Sequence, residues 1–185
     1  MAKLDFADWN PISHGFNKGL MRDPIRGLVV HITDGHGNLS SVRADFDREE
    51  KRASAHFAID KFGDMWQFID TDDRAWAIDG GTHDEQWISV ENVAKYGEQL
   101  TEGQLYGCAL LLEWLHDEHD VPFQLTSHGS GKGLGYHKMF HIGDHACPGP
   151  SVVRQLESIR RWAWYLWYRD TGDSDAPEYI RHFRD

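Results

Sequence analysis

Hydrophobic positions along the chain follow two periods. Gly27-Leu-Val-Val-His-Ile-Thr33 is a nearly unbroken apolar run closed by the polar turn residues Asp34 to Asn38, as expected of a buried strand. Ala55-His-Phe-Ala-Ile-Asp60 and Met65-Trp-Gln-Phe-Ile69, joined by Lys61-Phe-Gly-Asp64, predict a β-hairpin. Trp87-Ile-Ser-Val-Glu-Asn92 predicts another short strand. A helical composition marks Ser40 to Arg52. Thr101-x-x-Gln104 is a capping-box pattern that opens a helix with apolar Leu105, Cys108, Ala109, Leu112 and Leu115. Ser151 to Arg169 predicts a second long helix. Residues 1–26 read as a polar lead-in, 126–150 as a long loop rich in Gly and His, and the acidic stretch after Asp170 as a loose tail. Strands mixed with helices in this order predict an α/β fold, one central sheet with helices packed on it.

Composition narrows the picture. The 185 residues suit one domain, with a core over about residues 27–168, an extension over 1–26 and a tail over 170–185. At 40% hydrophobic and 26% charged the chain is of ordinary globular composition. No apolar run approaches the ~18 residues a membrane helix needs. The first twenty residues lack the basic start and apolar stretch of a secretory signal, so the expectation is a protein made in the cytoplasm and delivered elsewhere by other means. A net charge of −11 argues against a nucleic-acid backbone as the main partner. A monomer is expected. Cys108 and Cys147 could form at most one disulfide, and reduced thiols are expected.

The chemistry concentrates in one segment. Zinc sites draw on His nitrogen, Cys thiolate and carboxylate oxygen, and catalytic ones keep a position open for water. His137-Lys-Met-Phe-His-Ile-Gly-Asp-His-Ala-Cys147-Pro-Gly gathers three histidines and a cysteine in a short loop. His31, near the end of the first strand, reads on its own as a core histidine bonded to backbone.

Four segments resemble the zinc-dependent N-acetylmuramoyl-L-alanine amidases, which share a fold with peptidoglycan recognition proteins. They are Leu28-Val-Val-His31, Ser54-Ala-His-Phe-Ala-Ile-Asp60 with Trp66-Gln-Phe, Ser89-Val-Glu91-Asn92, and His137 through Gly149. The resemblance implies a central mixed β-sheet flanked by α-helices. It also implies Zn2+ held by His31, His137 and Cys147, with peptidoglycan, a muramyl peptide, as substrate. His128, His141 and His145 compete with His137 for the second ligand, and His128 is its nearest rival. Glu91 aligns with the acidic residue that carries the proton. His145 stands where many members have Lys and would steady the oxyanion. Trp76, Asp79, Gly80 and Asn92 fall where members contact substrate. Ala55 replaces a functional Tyr of several phage relatives, which shifts weight onto Glu91. The His-Lys-Met-Phe and His-Ala-Cys-Pro-Gly segments are similar to phage endolysins, implying lysis of a bacterial wall. A non-catalytic peptidoglycan-binding module of the same fold is the alternative.

Other features carry less. His116-Asp-Glu-His119 has i, i+3 spacing, unlike the i, i+4 pair of a helical zinc protease, and reads as a solvated helix end. Trp162, Trp164 and Trp167 cannot all share one helix face, so some are expected in the core. Cys108 reads as core packing, and His56 as a hydrogen-bonding residue within the sheet.

Overall fold

The computed structural model describes residues 3–35, 37–79, 81–143 and 146–172. Its centre is a six-stranded mixed sheet in the order β1-β5-β4-β7-β3-β8. The strands are β1 (Asp8–Trp9), β3 (Gly27–Ile32), β4 (Phe57–Ile59), β5 (Met65–Gln67), β7 (Trp87–Asn92) and β8 (Gly133–Tyr136). β3 runs parallel to both β7 and β8, and β4 is parallel to β7 but antiparallel to β5. A two-stranded antiparallel ribbon pairs β2 (Phe16–Asn17) with β6 (Arg74–Ala75). The helices are α1 (Leu39–Phe46), α2 (Glu102–His119), α3 (Pro150–Val153) and α4 (Leu156–Thr171). No described helix is long and apolar enough to cross a membrane.

Strand alternation decides which face each residue serves. Leu28, Val30 and Ile32 of β3 and Ile88 and Val90 of β7 join the main core with Cys108, Leu111, Leu112 and Leu115 of α2 and Ile159, Ala163 and Leu166 of α4. Val29 and Trp87, of the opposite parity, pack with Met139 and Phe140 in a separate cluster. A third cluster sets Leu39, Val42 and Phe46 of α1 against Ala58, Phe68 and Ile69. His31 and Glu91 have the odd-numbered parity of Val29, and they are register partners near the C-terminal ends of parallel β3 and β7.

Local chemistry shapes the elements. Thr101 and Gln104 make the reciprocal capping box at the start of α2. The segment 126–150 is not one long loop: it contains β8 and a 3₁₀ turn over His137–Phe140. This strand has no β-branched residue, and glycine is what lets it form. A Cβ on Gly27 would lie 1.8 Å from the Gly133 carbonyl oxygen, so β3 and β8 approach closely only through glycine. The lead-in is likewise structured, supplying β1 to the sheet edge and β2 to the ribbon. The predicted helix over 151–169 divides into α3 and α4, and the one over 40–52 ends at Phe46 before a 3₁₀ turn at Glu49–Lys51.

Candidate metal centre and cleft

Three elements bring the centre together. His31 comes from β3, His137 opens the 3₁₀ turn directly after β8, and Cys147 lies in the segment leading to α3. One donor atom from each of the three lies within 4.8 Å of the others. The His31 and His137 rings stand 4.6 Å apart between centroids. Two backbone contacts hold the arms of the loop: Lys138 N–H donates to the Cys147 carbonyl at 3.0 Å, and Ile32 N–H donates to Cys147 Sγ at 3.3 Å. His31 is buried, and the other two are half-buried. Donors bonded to one zinc ion at about 2.0–2.3 Å lie within roughly 4 Å of one another, so small side-chain rotations close this set on a metal. Burial, and after it the charge of Glu91, raise the Cys147 thiol far above its ordinary range. A thiolate at this position therefore calls for a cation beside it. The donor set fits zinc.

Glu91 shares the face of His31 through the β3–β7 register. Its Oε2 is buried and has no hydrogen-bond partner among the described residues. Burial raises its carboxyl to about 8, and the ammonium of Lys51 pulls in the opposite direction. A metal cation nearby would lower the value toward the range that suits a proton carrier at neutral pH.

Two hollows border the centre. A cleft of about 550 Å³ is lined by His137, Arg52, Arg74, Trp76, Asp79 and Ile142. A second of about 340 Å³ is lined by Glu91, Lys51, Asp45, Ser41 and Thr33, and Ala53 lines both. Trp76 and Asp79 thus share a cleft with His137. Asp79 Oδ2 lies 2.7 Å from His83 Nδ1. Arg52, Arg74, Lys51 and Ile142 were not singled out by sequence. Arg74, two residues before Trp76, had a readable signal, whereas Lys51 and Arg52 come from the end of the 3₁₀ turn after α1 and Ile142 from a loop.

The remaining candidates fall elsewhere. Asn92 is fully buried on the opposite face from Glu91, where its amide donates to the His31 carbonyl at 3.2 Å and lies 3.6 Å from Cys108 Sγ. It ties β7 to β3 and α2 and does not reach the cleft. One residue of strand separates it from Glu91, and that reverses its direction. His128 and His141 are exposed, and neither belongs to the donor cluster. Gly80 and His145 lie outside the described residues. His116 is more than a solvated helix end: it stacks on Phe123 at 4.2 Å between centroids and donates from Nδ1 to the Val121 carbonyl at 2.9 Å. His56 is buried in the sheet beside Ser89, and Cys108 is in the core.

Fold and cluster together define an α/β protein with a His/His/Cys donor set gathered beside its parallel strands. The sequence profile of the N-acetylmuramoyl-L-alanine amidases matches residues 21–150, and the chain belongs to that family. Among solved structures, AmiA of Staphylococcus aureus in complex with its ligand superposes with a TM-score of 0.71 at 17% identity, covering 95% of this chain and 90% of that one. A selenomethionine derivative of AmpD gives 0.66 at 19% identity, over 85% and 96%. Peptidoglycan recognition protein-LE in complex with tracheal cytotoxin gives 0.66 at 13% identity, over 84% and 94%. At these identities the likeness is one of fold. No curated protein sequence matches the chain.

Proposed function

We propose that the protein is a zinc-dependent amidase that hydrolyses the bond between N-acetylmuramic acid and L-alanine in peptidoglycan. The observation that carries this reading is the convergence of His31, His137 and Cys147 donors within 4.8 Å. In this reading the three hold the metal, leaving room for water and substrate. Zinc bound there supplies Lewis acidity, acidifying a water and polarising the scissile carbonyl. Glu91 takes the attacking water's proton at Oε2 and delivers it to the L-alanine nitrogen as the C–N bond breaks. The products are a muramyl carboxylate and a free peptide amine. Trp76 and Asp79 form part of the wall that seats the muramyl peptide, and His145 donates to the developing oxyanion. The same reading makes the chain a single catalytic unit of endolysin type that acts on the bacterial wall.

A non-catalytic peptidoglycan-binding module is the second reading, favoured by the fold shared with a recognition protein that holds tracheal cytotoxin. Catalysis is supported over binding alone by Cys147 and by a buried carboxylate beside the donors. Zinc content separates the ligand assignment from its rivals. The native chain should bind one zinc per molecule, and Cys147→Ser should lose most of the metal and the activity. Unchanged zinc and full activity in that variant would contradict the assignment.

A further inference from the structure

The cleft wall that carries Trp76 is held from a part of the chain outside the segment matched by the amidase profile, which begins at residue 21. Asn17 of β2 lies opposite Arg74 of β6 in the ribbon. Its side-chain oxygen accepts from the Trp76 indole Nε1–H at 2.5 Å and from an Arg74 terminal N–H at 2.7 Å. Both partners can only donate, so the amide must present its oxygen to them. The other terminal nitrogen of Arg74 donates to Glu85 Oε1 at 3.3 Å, and Arg22 pairs with the same carboxylate at 3.0 Å. The backbone is tied from the same side. Trp76 N–H donates to Ser54 Oγ at 3.0 Å, and that hydroxyl donates to the Gly15 carbonyl at 2.6 Å. Arg74 and Trp76 both line the 550 Å³ cleft beside His137.

An indole on a half-open cleft wall has rotamer freedom that it loses when substrate packs on it. A single oxygen that fixes the indole and the neighbouring guanidinium removes that cost before binding. From this geometry we infer that Asn17 is a positioning residue. It presets Trp76 and Arg74 for the muramyl peptide, so the lead-in segment is a working part of the substrate cleft. The inference rests on the amidase reading for the identity of the ligand. Asn17 is not a donor to the metal centre, so its effect should appear in substrate affinity and leave turnover intact.

The test is a double-substitution cycle on a soluble N-acetylmuramoyl-peptide, with metal content measured alongside. Asn17→Ala should raise KM roughly fivefold or more, the scale of one lost hydrogen bond, with kcat and zinc content within about twofold of native. Asn17→Asp keeps the acceptor and adds a charge opposite to Arg74, so it should hold KM near native. In a Trp76→Phe background, which lacks the indole N–H, Asn17→Ala should cost clearly less than in the native chain. An unchanged KM in Asn17→Ala, strictly additive losses in the double variant, or a fall in kcat accompanied by metal loss would each overturn the inference. Asn17→Gln, which displaces the oxygen while keeping an amide, gives the same reading if the alanine variant melts early. If the native protein cleaves no muramyl peptide, the amidase reading fails. The cycle is then read from the Kd of the same peptide, and absence of any binding would overturn the clamp as well.

Discussion

Glu91 shows how much a single carboxyl owes to its surroundings. Strand parity turns it to the face of His31, burial removes water from Oε2, and Lys51 offsets only part of that cost. A carboxyl so placed can hold a proton between water and leaving amine, which an exposed strand-end glutamate could not do selectively. Glu91→Gln keeps the size and removes the proton chemistry. It should retain zinc and lower kcat by about 10²–10⁴-fold, measured as release of free amine from a muramyl peptide. Cleavage at the native rate would assign the proton to another group. Cys147 differs in kind, because its candidacy is visible in the local sequence, where Cys-Pro-Gly ends a histidine-rich loop, and the structure brings its Sγ to the His31 and His137 donors. Glu91 was visible only through resemblance, since one acidic residue at the end of a strand carries no signal of its own.

Among the elements, the junction of β4, β7 and the turn at 70–73 is pinned by His56. Ser89 N–H donates to its Nδ1 at 3.1 Å, which leaves Nε2–H to donate to the Asp73 carbonyl at 3.0 Å. Burial lowers the ring to about 4 from an ordinary 6.5, against smaller opposing effects of the Asp73 carbonyl and the Asp70 charge. Because the folded value is depressed, the unfolded chain binds the proton first. Stability present above about 6.5 is then lost as pH falls toward about 4. The thermal midpoint should fall over that interval, and more steeply in the native chain than in His56→Gln, whose side chain does not titrate. Equal slopes would remove His56 as the source.

β3, β7, the hairpin and the start of α2 were legible because apolar runs, a Gly turn and a capping box are local signals. β8 was not, since its Gly-Leu-Gly-Tyr composition makes sense only against Gly27 of β3. Nor was the face of Asn92, because a strand buried on both sides shows no alternation to read.

For the whole molecule, the sheet order sets the site. Placing β3 between β7 and β8 brings His31 from the first third of the chain beside Glu91 and the loop holding His137 and Cys147. Separations of this length are invisible to periodicity, and only the order of four family-like segments announced them. The edges follow the same logic. The lead-in, polar and short in pattern, adds β1 to the sheet edge, and its Asn17 accepts from the indole of Trp76 in the cleft wall. A chain of net charge −11 gains nothing from general electrostatic attraction to an anionic polymer. The bond that the protein cuts can be read directly. Purified peptidoglycan digested with the zinc-loaded protein should yield new free α-amino groups on L-alanine and no new reducing sugars. New reducing ends would make the protein a glycosidase, and the absence of any product would leave a binding module in its place.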